Sequence, residues 1–469
     1  MSITEYSSLS TPKGRKPVKT MTVAKPAAAK DPYKNIKTGI WAYLILLIFE
    51  GALRKWILPG LSTPLLVIRD PIVVWILYTA YTKDLIEPNK YMTGMVAIGL
   101  IGICTAMFAG HKNLYVAIYG ARILVLHFPL IFVIGRVFNR GDVIKMGKFI
   151  LLLSMPMALL IAMQFYSPQS AFVNRGVGGD EAGAGFSGAL GFFRPPGTFS
   201  FTNGTTAFFG LTSVFVIYFW LNSKLVNRFI LIGATAALLA SIPLSISRSL
   251  LFQVVICVLF AVMATSRKPE YFGPMLLAII GALIAFFVLS NTAFFQTAIN
   301  AFTHRFETAS VSEGGLEGTL LDRYLGGMVG ALDKSSTEPF FGYGIGMGTN
   351  VGSMLMGGRV QYLISEGEWG RLIGELGPLM GIAAILIRLG FCFEVTIGAY
   401  KKLVLGDLLP WMLLAYCLTN IPQGQWAQPT SLGFGILIGG LIMASLRDTG
   451  RPASKKRQMI RVKTVALKN

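Results

Sequence analysis

Charge is what this 469-residue sequence has least of: 14% of it is Asp, Glu, Lys or Arg. Soluble domains carry about 25%. The low figure excludes an ordinary water-soluble fold, and 53% hydrophobic residues with a mean hydropathy of +0.61 point to a bilayer. Acid is scarcer than base, 22 residues against 42, and there are only 3 histidines and 4 cysteines. Cys104, Cys257, Cys392 and Cys417 all fall in apolar runs without metal-ligand spacing, so they read as core packing and no metal site is expected. The first forty residues hold no short apolar core ahead of a small-residue cleavage site, so no cleavable signal peptide is expected.

What is present is long apolar runs and positive charge placed between them. A formal charge of +20 could suggest nucleic acid. Its placement argues against that partner and for a lipid bilayer. Basic residues crowd an N-terminal tail, residues 1–37 (Lys13, Arg15, Lys16, Lys19, Lys25, Lys30, Lys34, Lys37), and a C-terminal tail, residues 447–469 (Arg447, Arg451, Lys455, Lys456, Arg457, Arg461, Lys463, Lys468). Such runs beside spans mark the cytoplasmic side and attract anionic headgroups.

A spanning helix needs about 20 apolar residues. Segments meeting or approaching that are 40–58, 64–82, 91–109, 114–135, 149–165, 198–221, 229–246, 249–265, 273–290, 372–398, 409–422 and 430–446. The expected fold is therefore an all-α membrane protein of about twelve transmembrane helices with both termini cytoplasmic. The connections agree. Lys83, Lys90, Arg136, Arg140, Lys145, Lys148, Lys224, Arg228, Arg267, Lys268, Lys401 and Lys402 fall in inside loops and, with the tails, make 28 of the 42 basic residues. Spans one to nine occupy 38–290 and spans ten to twelve 372–446. Two outside segments are long: a Gly-rich stretch at 166–196 and a loop at 291–371, whose aromatics predict a small folded cap.

Ionisable residues within spans are costly and mark function by default. Glu50, Arg54, Arg69, Asp70, Arg122, Arg194 and Arg248 all thread to the outer half. Glu50 with Arg54 has the spacing of a helical ion pair, and Arg69 beside Asp70 can pair locally. Arg122, Arg194 and Arg248 have no acid nearby in sequence. Converging arginines below a membrane face suit a phosphate or diphosphate, which guanidinium grips with two hydrogen bonds. Trp369 and Trp426 read as interfacial belt residues, and the glycines of 342–348 as a flexible turn, since they lack the strand and Lys of a nucleotide loop.

Four stretches occur in order: FFRPPGTFSFTNGTTAFF (192–209), SISRSL (245–250), EPFFGYGIGMGTN (338–350) and ISEGEWGRLIGELGPLMGI (364–382). Together they resemble the O-antigen ligase/polymerase superfamily of membrane glycosyltransferases. FEGALRKW (49–56) with IRDP (68–71) looks like a subgroup pattern, and the resemblance covers most of 40–446. It implies a polysaccharide-biosynthesis enzyme of the bacterial inner membrane. Such an enzyme moves saccharide from undecaprenyl diphosphate to a glycan or lipid acceptor on the periplasmic face, inverts the anomeric carbon, and uses no metal or cofactor. Other envelope polysaccharide assembly proteins would be partners.

In this resemblance Arg248 occupies the Ser-Arg motif that binds the lipid diphosphate, and Arg122 and Arg194 complete the site. Ligases carry a His-Asn pair before a Glu-x-Gly segment. Aligned on Glu375-Leu376-Gly377, this sequence has Glu366 or Glu368 there instead. A carboxylate with a tuned pKa can serve as the base that deprotonates the acceptor hydroxyl. His304 is a rival base, and Arg54, Arg69, Arg323 and Glu375 are secondary site residues. The missing histidine leaves polymerase and ligase both open. A transporter or flippase of lipid-linked saccharides is the alternative from another class, and a non-catalytic assembly scaffold a third.

Overall fold

The computed structural model describes residues 31–267, 269–312, 327–356 and 367–447. Among these, ten helices are long and apolar enough to cross a membrane, and two shorter apolar helices, Arg228–Leu244 and Leu408–Asn420, pack with them. The chain is thus an all-helical membrane-type bundle. Its only described strands form one small hairpin.

The helices in order are α1 (Lys34–Ala52), α2 (Asp70–Tyr81), α3 (Lys90–Phe108), α4 (Leu114–Arg122), α5 (Phe128–Val137), α6 (Arg140–Tyr166), α7 (Thr202–Leu221), α8 (Arg228–Leu244), α9 (Arg248–Arg267), α10 (Phe272–Ser290) and α11 (Ala293–Ser312). Then come α12 (Gly327–Asp333), α13 (Asn350–Leu355), α14 (Glu368–Val404), α15 (Leu408–Asn420) and α16 (Pro429–Leu446). Wide turns extend α1 over Leu53–Ile57 and join α4 to α5 over Ile123–His127, giving continuous 24-residue helices at Lys34–Ile57 and Leu114–Val137.

Polar caps fix where these apolar rods begin. Asn89, Asn113, Asn139, Asn227 and Asp407 each accept backbone N–H groups of the first turn of the helix that follows, and Asn139 with Asp142 closes a full capping box. The apolar runs themselves supply little orientation, because they are hydrophobic all round. Packing sorts them instead. α7 and α16 form the centre, whereas α10 is peripheral and leaves Leu277, Leu283, Phe287 and Val288 exposed as a lipid-facing side.

Asp31, Asn139 and Arg447 line one cavity, so both ends of the described chain meet at one end of the bundle, here the basal end. The opposite, distal end departs most from the sequence reading. The expected span 64–82 is present as Pro64–Tyr81, opening with a 3₁₀ turn, Pro64–Val67, ahead of α2. The Gly-rich stretch is ordered. Asn174 is buried and donates to the carbonyls of Gln164, Ser167 and Pro168, and strands β1 (Phe186–Ala189) and β2 (Phe192–Arg194) pair antiparallel. Their two-residue turn has Leu190 at φ 52° and Gly191 at φ 79°, the left-handed pair that suits strand twist. The segment expected as a long loop opens instead with the 20-residue α11.

The expected tenth span proves to be a broken helix. Gly377 has φ 79°, followed by Pro378, so α14 splits into Glu368–Leu376 and Pro378–Val404. The first piece folds back on the second: a Cβ on Gly381 would lie 2.6 Å from the Ile373 Cα, and Glu368 meets Arg388, 20 residues onward, at 2.7 Å. Arg388 stands ten residues past Pro378, about 15 Å along the helix, so Glu368 is carried deep into the bundle. Two smaller expectations also fail. Cys104 is exposed on α3 rather than packed in the core. Trp369 and Trp426 are buried rather than interfacial: the Trp369 indole N–H donates to the Pro422 carbonyl, and Arg388 lies 3.7 Å from the Trp426 ring centroid.

Candidate functional site

Three groups of polar side chains occupy the distal half. The first hangs on α1 and α2. Glu50 forms ion pairs with Arg69 at 3.3 Å and with Arg54, one turn away, at 3.7 Å. Arg69 also donates to the Pro429 carbonyl at 2.6 Å, and Arg54 to Ser62 O and Ser200 Oγ. The sequence neighbours Arg69 and Asp70 therefore do not pair with each other. Asp70 instead takes Arg122 through both carboxylate oxygens, at 2.8 and 2.9 Å, and accepts the Nε2–H of buried His127 at 2.9 Å. Arg122 had no acid nearby in sequence; the fold supplies one from 52 positions earlier. Its Nη1 makes both contacts, and its Nε donates to the Tyr119 carbonyl at 3.1 Å.

Lys55 joins this group unforeseen. It is buried, donates to the Gly197 carbonyl at 2.7 Å and stands 4.6 Å from the Trp56 ring centroid. The RPPG segment can run against α1 because residue 51 is glycine: a Cβ there would sit 2.2 Å from the Phe199 carbonyl carbon.

The second group is built on the recessed half of α14. Arg371 grips Glu368 through Nε and Nη2, at 3.0 and 2.8 Å, and reaches Glu375 through Nη1 at 2.7 Å. Arg388 closes the other side of Glu368 and donates to the carbonyls of Ile421 and Gly424. The Trp426 N–H completes the shell of Glu368. Glu368 and Arg388 side chains are each 1% exposed. A charge taken from water survives there because every partner is charged or a backbone dipole. Glu368, expected as a candidate base, is here held by two guanidinium groups and a backbone N–H.

Glycines 342–348 are likewise not a flexible turn. The break at Gly377 strips the Gly374 and Glu375 carbonyls of helical partners, and the N–H groups of Tyr343 and Gly344 take them at 2.8 and 3.0 Å. Glu375 in turn accepts the Gly348 N–H at 2.8 Å, and His111 meets the Ile345 carbonyl at 3.1 Å. The EPFFGYGIGMGTN stretch thus caps the recessed half-helix.

The third group contains Arg194 and Arg248. Arg194 ends β2, and Arg248 opens α9 behind Ser247, whose Oγ accepts the Leu250 N–H and meets Thr206 Oγ1 at 3.0 Å. A Cβ on Gly188 would lie 2.6 Å from Ile246 Cδ1 and 3.5 Å from Arg194 Cγ, so the hairpin rests on the turn that leads into Arg248. Ile246 holds φ 46°, a strained value for a branched residue. Arg194, at the end of the hairpin, and Arg248, at the start of α9, are therefore carried on adjoining segments of the distal end. His304 is exposed on α11. Phe306, two residues on, packs against Phe252, one turn below Arg248, with ring centroids 6.2 Å apart. Glu366 and Arg323 lie outside the described residues.

Sequence reasoning missed His127, Arg371 and Arg388. A signal existed for Arg388, a lone charge within an apolar run, but threading that run as one straight span hid its partner. Among the described residues, no group of His, Cys, Asp and Glu could hold a metal ion. No family model matches the chain, and no curated protein matches it.

Proposed function

We propose that the protein is a bacterial inner-membrane glycosyltransferase of the O-antigen polymerase or ligase type, crossing the bilayer twelve times with its basal end in the cytoplasm. The observation that carries this reading is the hairpin ending in Arg194 resting on the turn that leads into Arg248 and α9, on the end opposite Asp31 and Arg447. Backbone N–H groups, the helix dipole and two guanidinium groups together suit the diphosphate of an undecaprenyl-linked saccharide.

In the reaction the acceptor hydroxyl oxygen attacks the anomeric carbon as a base removes its proton. The bond from that carbon to the diphosphate oxygen breaks, and undecaprenyl diphosphate departs with its charge held by the arginines. The base is drawn from Glu366 and His304. The ordered 338–350 stretch and α11 form the described part of the cap over the site.

Arg248→Ala is expected to abolish transfer while leaving membrane insertion and thermal stability near wild type. Normal product from that variant would overturn the assignment. A glycan profile of a strain carrying it separates the two activities: single-repeat product indicates a polymerase, and lipid-linked chains without capped acceptor indicate a ligase. The second reading, a transporter or flippase of lipid-linked saccharides, draws on the broken α14 and its deep ion network, since discontinuous helices carry transporter sites. Purified protein in detergent has no second compartment, so transfer there excludes transport as the whole activity.

A further inference from the structure

A second cavity opens at the basal end, away from every residue discussed for transfer. It is about 670 Å³ in volume and lies between α3, α5, α14 and α16, a size that accommodates an organic ligand or one lipid chain. Its floor is apolar, formed by Phe132, Phe391, Val395 and Met443. Its rim is ionic, with Lys90, Arg136, Lys401 and Arg447 set against Glu87 and Glu394. Two of the four cations are answered by these acids: Lys90 meets Glu394 at 3.4 Å, and Arg136 meets Glu87 at 2.5 Å. Arg447 donates to the backbone carbonyls of Gly135 and Arg136, which do not neutralise it. Lys401 is exposed and has no acidic partner among the described residues.

We propose that this groove binds one anionic glycerophospholipid, with an acyl chain on the apolar floor and the phosphate between Lys401 and Arg447. Among the described residues the rim keeps two positive charges without an acidic partner directly above hydrocarbon, a polarity that matches an anionic amphiphile and that a free phosphate leaves half unused. Basic pockets between membrane helices select anionic headgroups in this manner. The chain's own continuation does not fit: residues 448–469 follow Arg447 with Arg451, Lys455, Lys456, Arg457, Arg461, Lys463 and Lys468 against the single acid Asp448, so they would set like charge on like. They reinforce the attraction for an anionic headgroup instead. The proposal stands whether or not the distal site transfers saccharide.

The test is lipid retention by the purified full-length protein, reconstituted in nanodiscs of mixed phosphatidylglycerol and phosphatidylcholine and read by native mass spectrometry. Wild type should retain phosphatidylglycerol over phosphatidylcholine, and the Lys401→Gln, Arg447→Gln double variant should lose about tenfold of that preference. Lys401→Arg should keep it. Lys224→Gln, which removes an exposed basal cation outside the groove, should also keep it. Val395→Trp, which fills the floor, should lower retention of both lipids. Equal retention of the two lipids by wild type would overturn the proposal, as would a double variant that keeps both wild-type selectivity and wild-type unfolding temperature. A double variant that fails to fold passes the decision to Val395→Trp and Lys401→Arg.

Discussion

Ion pairs at the two ends of this bundle are built from the same residue types and behave as different objects. In the distal half, Glu368, Arg371, Arg388, Glu50, Arg69, Asp70 and Arg122 are withdrawn from water and held by partners brought from distant parts of the chain. At the basal end, Glu87 and Arg136 are 68% and 44% exposed along their side chains. A buried ion without its partner costs several kcal/mol, whereas an exposed pair is worth little, because water and salt replace it. The difference lies in surroundings, not in pair geometry.

Substitutions can break that contrast or sharpen it. The largest effect is expected from Glu368→Ala, which leaves Arg388 without its acid and Arg371 with Glu375 alone. Loss of about 3–5 kcal/mol, read by thermal unfolding in detergent, is the prediction. A loss below about 1 kcal/mol would mean that water reaches the recessed half-helix and that the contrast is false. Next is Gly377→Ala. A side chain at φ 79° is strained, and its Cβ would approach the Phe340 carbonyl oxygen to 2.0 Å. It should cost about 2–3 kcal/mol and loosen the 338–350 stretch, measured as faster amide exchange at Tyr343 and Gly344. Asp70→Asn keeps the shape and one acceptor oxygen but removes the charge that faces Arg122 and His127. About 2 kcal/mol is expected, less than for Glu368 because the Asp70 side chain is 17% exposed. Smallest is Glu87→Gln at the basal rim, below about 1 kcal/mol. Raising salt should erase that last effect and leave the Glu368 loss nearly unchanged, since screening acts over about 8 Å of water and not inside the bundle.

Much of the fold could be read from the chain alone. The helical segments and most of their limits follow from apolar length and from Asn and Asp caps, both local properties. Two expectations failed for one shared reason. Threading treats each apolar run as a straight rod, so Glu368 was set at a wet helix start and Arg388 was not connected to it. The conformation of Gly377 reverses the chain there, and no periodicity in the surrounding apolar residues records that reversal. The partner of Arg122 was hidden for the complementary reason, since neighbours in sequence were searched where neighbours in space decide.

Composition and charge placement by themselves established the bilayer class, the apolar helices, the two unlike ends and the short set of arginines worth examining. Hydropathy and charge are sums over residues, and a sum needs no coordinates. Only the tertiary structure sorted those arginines. It closed Arg54, Arg69 and Arg122 around Glu50 and Asp70, sealed Glu368 between Arg371 and Arg388, and set the hairpin that ends in Arg194 on the turn leading into Arg248. Whether a guanidinium serves as structure or as site depends on which carboxylate lies within about 4 Å, and that distance is set by helix packing rather than by order in the chain.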